Sequence, residues 1–221
     1  MNEVSNNSPE VKHLTTDSVK SMARPITQKE RRAALIDATL SAVSEHGLRS
    51  LSLSDVAVKA GLSRGAILYY YDDLDELLLE AHRAGIERFC DQRDASIAAI
   101  ENPSDQLKTA IRAGLPSGPD DALMRLLYEF DVLAGTSKLH DELVEAMYQR
   151  QHSTYCGILE RGQASGKFQL NLPVELLAMN LVALEDAYGL HIVAGNRLIT
   201  VASAEEAMLQ LINSLGANTS A

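Results

Sequence analysis

Two helix starts, Ser52 and Ser63, stand on either side of Gly61, and this arrangement restricts the chain more than any other feature. Ser52-Leu53-Ser54-Asp55 fits the capping box, in which a serine and a carboxylate three residues on satisfy each other's backbone N–H groups. The short helix it opens runs through Val56, Ala57 and Val58 and stops at Ala60-Gly61, because glycine takes the left-handed conformation that ends helices. Ser63 then caps a second short helix over 64–70. Two short helices around a turn of about four residues containing glycine form a helix-turn-helix, whose second helix enters the DNA major groove.

The surrounding chain is helical by pattern. Before the pair, residues 28–47 place Leu35, Ile36, Leu40 and Val43 on one helical stripe that Gly47 ends. After it come helical stretches over 73–102, 103–114, 119–135, 138–166, 173–196 and 203–216. Asn102-Pro103 and Gly114-Leu115-Pro116 break the run, and Ser203 to Glu206 reads as another capping box. No strand, repeat or low-complexity tract interrupts it. The fold class is all-α, about nine helices, in three parts. Residues 1–26 are a polar, aperiodic tail expected to be disordered, 27–72 a helix-turn-helix domain, and 73–221 a helical body for ligand binding and dimerisation.

Charge divides the chain the same way. The protein carries a net charge of -10, yet residues 22–70 hold seven Lys or Arg against four Asp or Glu, a net +3. From Tyr71 onward eleven bases face 23 acids, a net -12. A small basic module on an acidic body meets a polyanion at one end only. No apolar run is read as approaching the ~20 residues of a membrane span, and the N-terminus has no apolar signal region. A cytoplasmic protein without a membrane partner is therefore expected. Cys90 and Cys156 lack metal or redox spacing and read as buried thiols.

Residues 52–82 resemble the DNA-binding signature of the tetracycline-repressor (TetR) family of bacterial transcription regulators, and 31–50 resemble its first helix. The family pattern D-x-A-x-x-A-G is met by Asp55, Ala57, Ala60 and Gly61. A small cap, a basic residue and glycine follow as Ser63, Arg64 and Gly65, and aromatic residues close the helix as Tyr69, Tyr70 and Tyr71. Two positions depart: the family often has phenylalanine at Tyr71, and usually a phosphate-touching lysine at Leu74. The resemblance implies a homodimeric repressor, paired through its last two helices. It would bind a palindromic operator and leave it when a small-molecule effector binds. An activator of the same fold stays open.

Site residues follow from the chemistry of a duplex, where phosphate contacts position the protein and base edges specify it. Arg64 can reach guanine or a phosphate, Ser52 and Ser63 sit at helix N-termini, and Gly65 and Ala66 keep the helix face low. Tyr69 and Tyr70 offer hydroxyls to phosphates and rings to sugars or thymine methyls, while Tyr71 is expected to point inward. Lys29, Arg31 and Arg32 either track the backbone or form a solvated basic face. Leu53, Val56, Leu62, Ile67 and Leu68 are assigned to the core.

In the body, carboxylates fall among tyrosines and apolar residues: Tyr128, Glu129 and Asp131; Tyr148, His152 and Tyr155; and Glu185, Asp186 and Tyr188. Aromatic faces with carboxylates suit an organic cation, such as a polyamine or a choline-like amine. The plainer alternative makes the tyrosines core and the acids solvated faces; a neutral lipophilic effector is the rival ligand. No cofactor, metal or catalytic residue is assigned. G-x-S-x-G, P-loop, G-x-G-x-x-G and H-E-x-x-H motifs are absent, so an all-α enzyme or an interaction scaffold stands only as an alternative class.

Overall fold

The computed structural model describes Met1, residues 27–131, Gly135 and residues 137–217. The expected tail, beyond Met1, lies outside the described residues. Among these residues there are nine α-helices and one 3-10 turn, with no strand beyond an isolated Phe168–Ala217 bridge.

Helix α1 (Gln28–His46) starts with a capping box that the sequence reading did not identify. Thr27 Oγ1 accepts from Glu30 N at 3.2 Å, and the Glu30 carboxylate accepts from Thr27 N at 2.7 Å. After the 3-10 turn Leu48–Ser50, α2 (Leu53–Ala60) opens on the expected box: Ser52 N donates to Asp55 Oδ2 at 2.8 Å. Gly61 takes φ 63° and ψ 34°, and the chain closes with Leu62 N donating to Ala57 O at 3.0 Å. Only glycine adopts this conformation without strain. Ser63 Oγ then accepts from Ala66 N at 3.2 Å to start α3. The regular part of α3 is shorter than expected, Arg64–Ile67, with Leu68 to Tyr70 continuing as turns held by Tyr70 N donating to Ile67 O at 2.8 Å.

The remaining helices are α4 (Leu74–Ala98), α5 (Pro103–Gly114), α6 (Ala122–Asp131), α7 (Lys138–Ala164), α8 (Val174–Val193) and α9 (Val201–Ser214). Asp73 caps α4, and Asn102 with Pro103 in the first turn starts α5. The last helix begins earlier than the Ser203–Glu206 box suggests. Thr200 is its cap, paired with Ser203, because a threonine hydroxyl two residues outside the apolar stripe already satisfies the first N–H groups.

Two apolar cores hold the molecule. The first joins α1–α3 to α4, α6 and the start of α7 through Leu35, Val43, Val56, Ile67, Leu77 and Phe130. The second lies among α5, α7, α8 and α9, around Ile111, Ile158, Leu181 and Met208. The expected boundary near residue 72 therefore cuts through the first core. Ile67 is fully buried there, which contributes about 2 kcal/mol. Helix α8 amends the reading that no segment approaches a membrane span, since by length and composition alone it is long and apolar enough. It carries Glu185 and Asp186, and one side of it is packed into the second core.

Candidate DNA-reading surface and effector groove

The helix pair presents a face built by its caps. Ser63, Arg64, Gly65, Leu68 and Tyr69 are exposed, while Ile67 behind them is buried. Leu68, expected in the core, is instead 46% exposed, because the helix loosens after Ile67 and turns this side chain outward. It adds an apolar component to the face, and Val58 on α2 is exposed as well. Tyr69 is 78% exposed and meets the edge of Tyr70 at 5.0 Å; Tyr70 is half-buried against the first core. Tyr71 points inward as expected, with 1% exposure. Ala66 is half-buried beside Ile67.

The basic residues of α1 divide in role. Arg32 donates to Tyr70 O at 3.0 Å and lies over the Tyr71 ring at 4.4 Å, so it braces the turn after α3. Arg31 is half-buried at the same end of α1, and Lys29 is exposed. Ser52 shares its hydroxyl with Asp55 at 2.6 Å, which places a carboxylate at the N-terminus of α2 where a phosphate would sit. The N-terminus of α3 carries no such acid. Leu74, where a lysine is usual, is half-buried against the first core, so the side chain there contributes packing.

In the body, the sequence-predicted residues separate into three places. Tyr128 and Asp131 on α6 face Asp186, Ala187 and Leu190 on α8 across an open groove of about 410 Å³. The Tyr128 hydroxyl is buried without a hydrogen-bond partner, and its space exists because position 189 is glycine: a Cβ there would stand 1.9 Å from the oxygen. Burial, together with the negative charge of Asp186, raises the Asp131 carboxyl to about 6, and burial opposed by Arg93 raises that of Asp186 to about 6. A cation between them relieves both effects. A larger groove of about 520 Å³ lies at the start of α4, beside Asp73, Glu76, Leu79 and His140, but it has no tyrosine in its lining.

Glu185 and Tyr155 belong to the interior instead. Glu185 accepts from Arg93 at 2.8 and 3.1 Å and from the Tyr155 hydroxyl, with all three side chains essentially buried. Burial pushes the Glu185 carboxyl up, and the Arg93 charge and the Tyr155 hydroxyl pull it back. Glu129 is not part of the groove lining and accepts from Leu48 N, tying α6 to the 3-10 turn that follows α1. Tyr148 and His152 stack on α7 at 5.8 Å, with His152 Nε2 3.1 Å from Glu175 O, and are not part of the groove lining. Tyr188 is half-buried against the second core. Sequence reading missed Arg93, Ala187 and Leu190. The α8 residues carried a signal, since 186, 187 and 190 share a helical face; Arg93 carried none in a helix rich in charge. Among the described residues no group of three or more His, Cys, Asp or Glu is arranged to hold a metal ion.

Residues 35–81 match the family described as "Bacterial regulatory proteins, tetR family". Over 132 residues the chain is 29% identical to the HTH-type transcriptional regulator BetI of Burkholderia ambifaria, covering 57% of this chain and 66% of that relative. The chain thus spans just under two thirds of the length of such relatives. Its fold is similar to a TetR transcription regulator from Haloarcula marismortui, with a TM-score of 0.77 and 20% identity, covering 85% of this chain and 99% of the other. It is also similar to a protein from Saccharomonospora viridis solved in complex with choline. There the TM-score is 0.78 and the identity 22%, covering 84% of this chain and 96% of the other. With the capped helix pair and the exposed Arg64 and Tyr69, residues 35–81 are thus similar to the tetR family of bacterial regulatory proteins, and the described helical body behind them shares its fold with a solved TetR transcription regulator.

Proposed function

We propose that this protein is a sequence-specific DNA-binding transcriptional regulator, a cytoplasmic homodimer that represses from a palindromic operator and releases it when a cationic amine binds. No catalytic role is part of this reading. The observation that carries the DNA half is the outward face of α3, where Arg64, Gly65 and Tyr69 stand exposed on a helix fixed by the Ser63 cap and the buried Ile67. Arg64 reaches guanine edges or phosphate, Tyr69 donates to a phosphate oxygen, and Leu68 meets thymine methyls. Ser52, Ala66, Tyr70, Arg31 and Arg32 support the face at close range, with Arg32 acting through the turn it braces.

The effector half rests on the groove between α6 and α8. Two carboxylates and the aromatic side chain of Tyr128 suit an organic ammonium group. The choline complex of the Saccharomonospora protein supports a ligand of this charge. The affinity of such a cation rises as pH climbs through about 6, because Asp131 and Asp186 must lose their protons to receive it.

The test uses the promoter DNA flanking the gene that encodes the chain, in a fluorescence-anisotropy titration. The native protein is expected to bind it specifically, to weaken steeply with salt, and to weaken again on adding choline or putrescine. Arg64→Ala combined with Tyr69→Phe is expected to lose at least tenfold in affinity while retaining the helical circular dichroism spectrum. Unchanged binding by that double variant would overturn the assigned reading face.

A further inference from the structure

The groove of about 520 Å³ between the first turns of α4 and α7 has no place in the effector reading above. Half-buried Leu79 and Leu139, which is 54% exposed, give it an apolar wall, and Asp73, Asp75 and Glu76 stand at its rim. Two of these acids are committed to the start of α4. Asp73 Oδ1 accepts from Glu76 N at 2.8 Å, and Glu76 Oε2 accepts from Asp72 N at 2.7 Å. Asp75 is exposed and has no hydrogen-bond or ion-pair partner among the described residues.

The histidines behind the rim point to a ligand. His140 lines the groove although it is only 7% exposed. Its Nδ1 is taken up by His82 Nδ1 at 2.9 Å, so Nε2, on the other side of the ring, is left for the groove. That nitrogen has no hydrogen-bond partner among the described residues. His82 Nε2 is sealed in without a partner as well. Native proteins rarely leave buried polar atoms in this state, because each costs more than a hydrogen bond returns. A neutral imidazole carries one N–H. When His140 donates in the shared contact its Nε2 is a bare acceptor, and a donor in the groove selects that form. Asp75 is near enough for its charge to act on the His140 ring.

We propose that this groove is a second ligand site, separate from the one between α6 and α8, and that it takes a primary amine with an apolar body, such as an arylalkylammonium. One N–H of the ammonium donates to His140 Nε2 and another to Asp75, while the apolar body covers Leu79 and Leu139. Hydrogen bonds of this charged kind are the strong ones. The donor set differs from that of the α6–α8 groove. There the ring of Tyr128 suits a quaternary ammonium too, whereas an imidazole acceptor requires an N–H. The site also borders the DNA-reading helix pair. Glu76 on its rim pairs with Arg32 at 3.9 Å, and Arg32 donates to Tyr70 O in the turn that closes α3.

Calorimetry on the full-length protein with benzylamine and benzyltrimethylammonium tests the site. The two probes share a ring and a charge, and only the first has N–H groups. Native protein is expected to bind benzylamine about tenfold or more tightly than the quaternary probe. Asp75→Asn and His140→Phe are each expected to weaken benzylamine about tenfold or more, with the helical circular dichroism spectrum retained. Asp75 is exposed, so its replacement leaves the packing intact, and His140→Phe keeps an aromatic ring beside Phe130. Three results would each overturn the site: no binding of benzylamine by native protein, equal binding of the quaternary probe, or native affinity for benzylamine in folded Asp75→Asn. Tyr128, Asp131 and Asp186 are untouched in both variants, so the effector reading is judged separately by choline and putrescine.

Discussion

A methyl group at position 114 would land 1.8 Å from Glu185 Oε1, so the last residue of α5 is glycine for want of space rather than for backbone freedom. Replacing it with alanine gains up to ~1 kcal/mol of helix propensity, less at a helix end, but forces the carboxylate away from Arg93 and Tyr155. Breaking a buried ion pair costs ~3–5 kcal/mol, so the second effect wins. Gly114→Ala is expected to lower the unfolding free energy by about 3 kcal/mol, measured from urea midpoints. A change below ~1 kcal/mol would show that Glu185 has another place to go. The sequence already marked Glu185 as awkward, because it interrupts an apolar helix. It could not show that Arg93, 92 residues away, answers it. Nor could it show that Gly114 supplies the space. Those facts belong to the packing of α4, α5 and α8, which local patterns do not contain. Leu74 was legible only as a departure from the usual lysine, until the first core showed what it packs against.

At the scale of elements, the pieces best read from sequence were those fixed by local chemistry. The Ser52 and Ser63 caps and the Gly61 turn follow from neighbours within four residues, and they came out as expected. The end of α3 did not, since Leu68 is turned out by a loosening that no cap or breaker signals. The junction of α4, α6 and α7 was wholly hidden. His82 on α4 and His140 on α7 meet Nδ1 to Nδ1 at 2.9 Å, both stacked on Phe130 of α6. One ring must donate and the other accept, so the contact cannot survive with both imidazoles protonated. Burial, then the charge of His140 and of Arg83, depresses His82 to about 3, and burial also lowers His140. Asp75 and Asp141 oppose the shift at His140. Because the unfolded chain takes up the proton near pH 6.5, the stability this pair contributes is complete above that pH. It is lost as pH falls toward the depressed value. Asp131 and Asp186 act in the opposite sense, since their raised carboxyls bind protons more readily in the folded state. The pair is therefore isolated by comparison with His82→Gln. Native protein is expected to lose stability relative to that variant between pH 7 and pH 5, in parallel urea titrations. Parallel curves across that range would mean the imidazoles are already free to protonate.

For the whole molecule, the proposed function requires a ligand in the acidic body to alter a face on the basic helix pair. The first apolar core runs continuously from α1–α3 into α4 and α6, so the two units share a wall rather than a linker. Helix α6 makes one direct connection. Tyr128 and Asp131 line the groove, while Glu129, between them in sequence, accepts from the backbone N–H of Leu48 in the 3-10 turn after α1. A cation seated in the groove as proposed would displace α6 and so pull on the turn that follows α1. That supplies a differential contact between two states, which coupling requires. Glu129→Ala removes the grip without touching the groove and leaves the buried Leu48 N–H unpaired, at a cost of about 1–3 kcal/mol in stability. Cation affinity measured by calorimetry is expected to stay within about twofold of native, because both groove carboxylates remain. Operator affinity in the absence of ligand is expected to change little. The factor by which choline or putrescine weakens operator binding is expected to fall at least fivefold, since the helix then moves without the domain. If that factor is unchanged while Glu129→Ala folds and binds the cation normally, the signal travels through α4, whose first residue follows Tyr71 by three positions and which packs on both cores.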